Sequence, residues 1–484
     1  MLEIKNSFLV KRILIANLTV FALFSAYAQQ QPLKTFSLKD AEEYALQNKS
    51  EAKNAQLSID EAKARNWEII ATGLPVVSGS ADYTYYFKRP ESPALSKFFS
   101  DPKSTTNQIY GVLAQKYPAE IGPILAEAAK NSGPISFVLP HSLQAGVQVS
   151  ELLFDGRYMV GLKATKDFMK AALLSKNVSD QDIRYSVRKA YYQAQAAQQA
   201  ISLLHDNELV LEKLVSDNRE VYKAGFIEEL DVNRLDLILI NLKSQIQTQE
   251  QLAEVALANL KFQMGLSVSD QIVLTDKLES LREKIGPAAL TFSPNQRPEY
   301  DLLETVMRIK GHDTKQRAAG YMPTLAAFLS YGGGSQTDKF VDIFKKDATT
   351  GKNNWFQQGL VGLSLKVPIF DSGQRNAQVK QGKIAEAKAK NDFDNFLKGV
   401  ELQLQVSQTN FNASLREELN AKRSLELSEK IYNKSRVKFK EGVGSSFELA
   451  QAEQEFITNQ LKKINNTLSV LTTKADLDKA QGIK

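Results

Sequence analysis

The placement of proline is the feature that most constrains this chain. Proline is absent from His141 to Gly286 and again from Ile369 to Lys484. Both tracts are rich in Ala, Gln, Lys, Glu and Leu, which favour helices, whereas one interior proline would cost a helix about 3 kcal/mol. The stretch from Arg157 to Gly225 alone would extend roughly 100 Å as a continuous helix. No compact core needs a helix of that length, so the two tracts predict long helical hairpins, as in a coiled coil or a helical tube.

Four segments outside these helices alternate between apolar and polar residues with period two, which predicts strands at 76–87, 143–153, 324–334 and 355–367. One face carries apolar and aromatic residues and the other small polar ones. A length of about ten residues suits a tilted strand that crosses a bilayer with lipid on one side and water on the other. A soluble antiparallel sheet with one wet face is the alternative, and four strands do not exclude it.

The first residues indicate export. Lys11 and Arg12 precede an apolar run, and the small residues of "AYA" follow at 26–28, which predicts a signal peptide over 1–28. No later run reaches the roughly 18 apolar residues of a membrane-spanning helix. The chain has no cysteine, which excludes a lipid-modified cysteine, a disulfide and a thiolate metal site. A net charge of +6 over 484 residues is mild, so nucleic acid is an implausible partner.

The chain repeats its own order of elements, which predicts an internal duplication. The corner Phe154-Asp155-Gly156 recurs 216 residues later as Phe370-Asp371-Ser372-Gly373. The glycine break at Gly225 recurs 217 residues later at Gly442. We therefore predict a first repeat over 29–286 and a second over 287–484. The first comprises a helix at 37–72, a helical hairpin at 157–264 and a linker at 265–286; the second comprises a helix at 298–320 and a hairpin at 373–480.

Each corner is where a returning strand becomes a long helix. Gly156 and Gly373 are expected to give the backbone its freedom to turn. Asp155, and Asp371 or Ser372, can accept hydrogen bonds from the unpaired N–H groups of the first helical turn. We assign these residues an architectural role and no chemistry.

The motifs "VPIFDSGQRNAQ" and "RPEY", together with the paired glycine breaks, resemble the TolC family of outer-membrane channel proteins. The resemblance covers essentially all of the chain after the signal peptide. It implies a mainly α-helical homotrimer in which each protomer gives four strands to a twelve-stranded β-barrel in outer-membrane lipid and two helical hairpins to a periplasmic tunnel. It also implies a passive exit duct of a tripartite efflux or type I secretion system in a Gram-negative bacterium, with a periplasmic adaptor and an inner-membrane pump as partners.

The resemblance further implies that the glycine breaks form the periplasmic tip, where the tunnel closes and the adaptor docks. Gly225 and Gly442 match the tip glycines of the family, and Asp231 matches an acidic residue that helps to hold the tip shut. Phe439 and Gly444 stand where well-known members have a tyrosine and an arginine, which puts the usual polar contact in doubt.

Glu448 matches an acidic position that surrounds the pore, where three copies would form a ring of negative charge. Its place in the first turn of a helix favours a carboxylate in any case, so a helix-capping role is an equal alternative. Gln451 stands where a second acid is often found.

The sequence predicts no enzyme, cofactor or metal site. The three histidines, His141, His205 and His312, lie in unrelated elements without ligand-like spacing, and no nucleophile elbow or phosphate-binding loop is present. An exported hydrolase therefore lacks support. A periplasmic adaptor with long hairpins is the stronger alternative, although an adaptor would have one hairpin beside a lipoyl-like β-domain.

Overall fold

The structure is a computed structural model that describes residues 34–90, 103, 105–119, 123, 136, 138–286, 293–346 and 351–483. The predicted signal peptide, residues 1–28, lies outside the described residues. The chain divides into two units. One comprises Met1–Asn66, Thr165–Gly311 and Lys383–Lys484, and the other comprises Trp67–Ala164 and His312–Gly382.

Two helical hairpins dominate the chain. The first consists of α4 (Gly156–Lys223, 68 residues) and α5 (Glu229–Met264, 36 residues). The second consists of α8 (Gln374–Lys440, 67 residues) and α9 (Ser446–Gln481, 36 residues). The matching lengths favour the predicted duplication, which stays an interpretation. None of the described helices combines the length and the apolar composition that crossing a membrane requires.

The remaining helices are shorter. The helix predicted over 37–72 is two helices, α1 (Leu38–Asn48) and α2 (Ser50–Ala71), because Lys49 between them has an extended backbone. The helix predicted over 298–320 is α7 (Pro298–Ala319). Two helices had no counterpart in the sequence analysis: α3 (Thr105–Lys116) and α6 (Leu278–Glu283).

Apolar clusters hold the helical unit together. One cluster gathers Tyr191, Leu260 and Leu471 with the short parallel strands β1 (Lys34–Phe36) and β4 (Ile272–Leu274). A second lies nearer the hairpin turns and contains residues of both hairpins: Leu204, Leu211, Val215, Leu235, Ile238, Leu242, Ile246, Tyr432, Leu449, Ala452 and Ile457. This second cluster, called the distal cluster below, therefore packs the first hairpin against the second.

The other unit is built on one antiparallel sheet. Its strands are β2 (Val76–Tyr85), β3 (His141–Asp155), β5 (Thr324–Thr337) and β6 (Trp355–Lys366), in the order β2-β3-β5-β6. The strands lie where the alternation placed them, with β3 and β5 longer than predicted. Strands β2 and β6 form the two edges of the sheet.

The register gives the sheet two different faces. One row across the four strands is Val77, Val149, Leu329 and Val361, and a row on the opposite face is Ser80, Gly146, Gly332 and Gln358. Leu363 lies on the apolar face and is 70% exposed. Glu151 also lies on that face, opposite Ala327 near the end of β3.

Candidate functional site

Both hairpin turns use the same glycine geometry. In the first, the N–H of Gly225 donates to the Tyr222 carbonyl at 2.8 Å and the N–H of Phe226 donates to the Val221 carbonyl at 3.2 Å. In the second, Gly442 and Val443 make the equivalent bonds, both at 3.0 Å, to Phe439 and Lys438. This is the Schellman arrangement, in which the glycine is left-handed.

The left-handed backbone explains both glycines, because φ is +78° at Gly225 and +72° at Gly442. No neighbouring atom lies within 4 Å of where a Cβ would stand at either position. The residues that follow present apolar side chains to solvent: Phe226 is 82% exposed and Val443 is 78% exposed.

A polar contact joins the two hairpins next to these turns. The hydroxyl of Ser446, which is 1% exposed, donates to Oδ1 of Asp231, and Nη1 of Arg234 donates to the same hydroxyl at 3.1 Å. The Arg234 guanidinium also lies 5.7 Å from the centre of the Phe447 ring. These four residues are called the tip cluster below. Asp231 thus bonds a serine of the second hairpin.

Phe439 and Gly444 have structural explanations. Phe439 is half-buried and packs against the distal cluster. A Cβ at Gly444 would stand 2.9 Å from the Phe439 nitrogen and from the Lys438 Cβ, so the turn excludes an arginine here. The shape and packing of this turn therefore explain why Phe439 and Gly444 differ from the residues found in the family.

Glu448 lies in the first turn of α9, where the helix dipole favours its carboxylate, but it is not the hydrogen-bonding cap of that helix. The Ser445 hydroxyl caps α9 by accepting the Glu448 N–H at 3.1 Å. Glu448 is exposed, and its carboxylate has no hydrogen bond or ion pair within the described part of the chain. Its charge is therefore available to solvent or to another molecule.

The first strand-to-helix corner is built around Asp155. Its Oδ1 accepts the N–H groups of Arg157 at 2.6 Å and Tyr158 at 2.9 Å, and its Oδ2 accepts the Thr324 hydroxyl at 3.1 Å. The capping role predicted for Asp155 is confirmed. The explanation predicted for Gly156 is wrong, because its φ is not left-handed. A Cβ at Gly156 would instead stand 2.6 Å from the Met322 sulfur and 3.1 Å from the Ala319 carbonyl oxygen.

The second corner differs by one residue. Asp371 accepts the Gly373 N–H at 3.2 Å and the Arg375 N–H at 3.0 Å. Ser372 (φ +53°) and Gly373 (φ +85°) are both left-handed, and they accommodate the extra residue that changes the offset from 216 to 217. Phe154 is 37% exposed and Phe370 is 86% exposed, so neither phenylalanine is a core residue of its corner.

No metal site is found within the described residues, where no three His, Asp or Glu side chains are grouped to hold an ion. His205 instead pairs with Glu208 and Glu250, and His141 shares a hydrogen bond of 2.8 Å with the Tyr83 hydroxyl.

Sequence reasoning missed Ser446 in the tip cluster and a second pair of left-handed glycines, Gly265 and Gly482, which end α5 and α9. These glycines are again 217 residues apart, and their φ values are +78° and +71°. The same offset, applied along both hairpins, would have found the pair. Nothing in the sequence distinguishes Ser446 from its neighbour Ser445.

Comparison with known proteins agrees with this architecture. The family model described as "Outer membrane efflux protein" matches residues 311–483. The chain is 21% identical over 357 residues to the probable efflux pump outer membrane protein TtgC of Pseudomonas putida, covering 72% of this chain and 71% of TtgC. It is 22% identical over 279 residues to the outer membrane protein TolC of Vibrio cholerae, covering 56% and 61%. The crystal structure of the Campylobacter jejuni CmeC outer membrane channel superposes with a TM-score of 0.68 at 16% identity, over 92% of this chain and 85% of CmeC.

Proposed function

Because the chain belongs to the family of outer membrane efflux proteins, we propose that it is the outer-membrane exit duct of a tripartite efflux or type I secretion system. The observation that carries the proposal is the four-stranded sheet with one apolar face, two of whose strands lead into hairpin helices of 67 and 68 residues. The protein lies in the outer membrane. It has no catalysis of its own in this proposal, since an inner-membrane pump supplies the energy.

The sheet supports assembly into a homotrimer. The four strands of one chain leave β2 and β6 as open edges. Unpaired edge groups are not tolerated in hydrocarbon, so the sheet must close with other copies. Three copies give twelve strands, with the Val77 row toward lipid and the Ser80 row toward the lumen.

The hairpin turns support a docking and closing role. Phe226 and Val443 expose apolar side chains at equivalent positions, which suits a periplasmic adaptor as the partner. The tip cluster holds the two hairpins of one chain together beside these turns. We assign Gly225, Gly442 and Asp231 to this closing role, with Phe439 and Gly444 shaping the second turn.

Glu448 supports selectivity at the constriction. Three copies of an unpaired carboxylate around one axis would form an anionic ring that concentrates cations between low-dielectric walls. The test is single-channel recording in planar bilayers. Glu448→Gln should weaken the cation preference. Glu229→Gln is the control, because it also removes a carboxylate from the first turn of a helix, here α5, and it should leave the preference unchanged. Identical selectivity of wild type and Glu448→Gln would remove Glu448 from the pore.

The membrane assignment is tested by the two sheet faces. A lysine at Val147 or Leu363, on the proposed lipid face, should cost roughly 2–4 kcal/mol near the bilayer midplane. A lysine at Gln148 or Ser364, on the proposed lumen face, should be tolerated and should alter conductance. Size measurement of the detergent-extracted protein should give a trimer. Equal tolerance on both faces, together with a monomer, would reject the channel.

A further inference from the structure

The two hairpins place a different pair of ionisable side chains at equivalent positions. With the offset of 217, Arg219 corresponds to Arg436 and Asp236 to Glu453. In the first hairpin these residues form an ordinary surface ion pair, with 2.7 Å between Arg219 Nη2 and Asp236 Oδ1. Both side chains remain accessible to water, 55% and 26% exposed.

In the second hairpin the acid is buried instead. Glu453 is 2% exposed, and its Oε2 has no hydrogen-bond partner within the described residues. Tyr432 is 5% exposed and stands where the first hairpin has Val215; its hydroxyl also lacks a partner there. The Arg436 guanidinium lies over the Tyr432 ring, 5.6 Å from its centre, and forms no ion pair with Glu453 in the described chain.

Burial raises the pKa of the Glu453 carboxyl above its usual range, because water no longer solvates the charged form. The Tyr432 hydroxyl and the Arg436 guanidinium oppose this shift only partly. Both groups lie on α8; the first-hairpin residues of the distal cluster, such as Val215 and Leu235, are apolar. Within the described residues, no other side chain acts on the pKa of Glu453.

The position of Glu453 couples its charge to the packing of the distal cluster. Glu453 lies beside Ala452, Leu449 and Ile457 of the distal cluster, two helical turns from the start of α9. Packing of the second hairpin against the first is therefore coupled to the charge of one side chain. The neutral acid suits an apolar surrounding, whereas a carboxylate there needs water or rearrangement.

We propose that Glu453 is a protonation switch for the second hairpin, keeping it packed on the first when neutral and loosening it near the turn when ionised. Its consequence for the duct rests on the proposed function: acid would hold the second hairpin against the first at the tip, and a rise in pH would release it there. The first hairpin has no such switch, because its equivalent acid is paired and solvated.

The direction of the pH dependence follows from linkage. An acid whose pKa is raised in the folded hairpin stabilises it fully below the pKa of the unfolded chain, and this stabilisation is lost as the pH rises through the folded-state pKa. Each unit by which the pKa is raised corresponds to about a tenfold change in the opening equilibrium. Local protection against opening should thus fall as the pH rises above the usual carboxyl range.

The experiment is hydrogen–deuterium exchange of the full-length protein in detergent across a pH series, expressed as protection factors corrected for intrinsic exchange. Wild-type protection around Tyr432 and Glu453 should fall as the pH rises, since ionisation of Glu453 favours local opening. Glu453→Gln should stay protected at every pH, and Asp236→Asn in the first hairpin should behave as wild type.

A wild-type fall that persists in Glu453→Gln would overturn the switch, and so would protection that does not change with pH in the wild type. Single-channel recording over the same pH series separates this result from the proposed function. Channels that open without any change in protection would reject only the switch, whereas pH-dependent protection in a protein that forms no channel would reject only the duct.

Discussion

The two ends of the hairpins differ in how closely the two halves of the chain resemble each other. At the end away from the turns the same kind of backbone contact occurs in both halves. Gly265 and Gly482 are both left-handed. A Cβ on Gly265 would stand 2.8 Å from the Lys49 Cα, and a Cβ on Gly482 would stand 2.7 Å from the Gln296 carbonyl oxygen. These neighbouring segments carry buried cations, Lys49 and Arg297, which are 7% and 6% exposed.

Near the turns the glycine geometry is shared, but the side chains of the two halves differ. The exposed Arg219–Asp236 ion pair of the first hairpin is replaced in the second by a buried acid and an arginine over a tyrosine ring. The end near the buried cations is fixed because backbone lies against backbone there. The turns are free to diverge because each glycine faces open space. Divergence of the side chains near the turns agrees with the docking and closing role proposed above.

The largest expected effect is at the buried arginine. Arg297 bonds Glu299 at 2.7 Å and the Gln403 side-chain oxygen at 2.8 Å, and it is almost completely desolvated. Arg297→Met should destabilise the protein by about 3–5 kcal/mol, because removing one partner leaves a partly buried carboxylate uncompensated. Lys49→Met should cost less, about 1.5–3 kcal/mol, since Lys49 bonds the neutral Gln263 at 2.8 Å and reaches only an exposed Glu51 at 3.6 Å. Chemical denaturation followed by far-ultraviolet circular dichroism measures both; equal losses would contradict the ranking.

The next largest effect is expected at the left-handed glycines. Comparing Gly482 with Gly442 separates the cost of the left-handed backbone from the cost of lack of space. Gly482→Ala should cost about 2–5 kcal/mol, about 1–2 for the left-handed backbone and the rest for a Cβ 2.7 Å from the Gln296 carbonyl oxygen. Gly442→Ala has the same backbone and open space, so it should cost only about 1–2 kcal/mol. Thermal unfolding of the two variants side by side measures the difference. Similar losses would mean that the two ends are equally constrained.

Much of this architecture could be predicted from sequence patterns that are local. Proline-free tracts and glycine breaks predicted the hairpins, because helix propensity and the left-handed turn act within a few residues. Alternation predicted all four strands of the sheet for the same reason. Asp155 and Asp371 were identified correctly as caps, since capping depends on residue type and position alone.

The remaining features depend on contacts between distant segments. Gly156 is small because Met322 and Ala319 lie against it, which no local pattern records. Ser446 and Ser445 are adjacent and chemically identical, yet one bonds Asp231 of the other hairpin and the other caps its own helix. The burial of Glu453 depends on how the hairpins pack, so the sequence shows only an acid in a helix.

The two adjacent serines test the tip cluster with a smaller effect. Ser446→Ala should cost about 1–3 kcal/mol, because Asp231 and Arg234 lose their shared buried partner. Ser445→Ala should cost about 1 kcal/mol by loss of a helix cap. Only Ser446→Ala should raise the open probability in planar bilayers, since of the two serines only Ser446 bonds residues of the other hairpin. If both variants opened the channel alike, helix fraying and not the link between hairpins would control closure.

The smallest expected effect concerns the ion pair that distinguishes the two hairpins. A double-mutant cycle of Arg219→Ala and Asp236→Asn should give a coupling energy of about 0.2–1 kcal/mol, because both side chains are solvated. The coupling should fall at high salt, since screening is effective at exposed sites.

The equivalent cycle of Arg436→Ala and Glu453→Gln should give no coupling at acid pH, where the raised pKa keeps Glu453 neutral and Arg436 interacts with the Tyr432 ring. Coupling should emerge only as the pH rises and Glu453 becomes charged. Equal coupling in both cycles at acid pH would require an ion pair between Arg436 and Glu453, and the contrast between the two hairpins would then be lost.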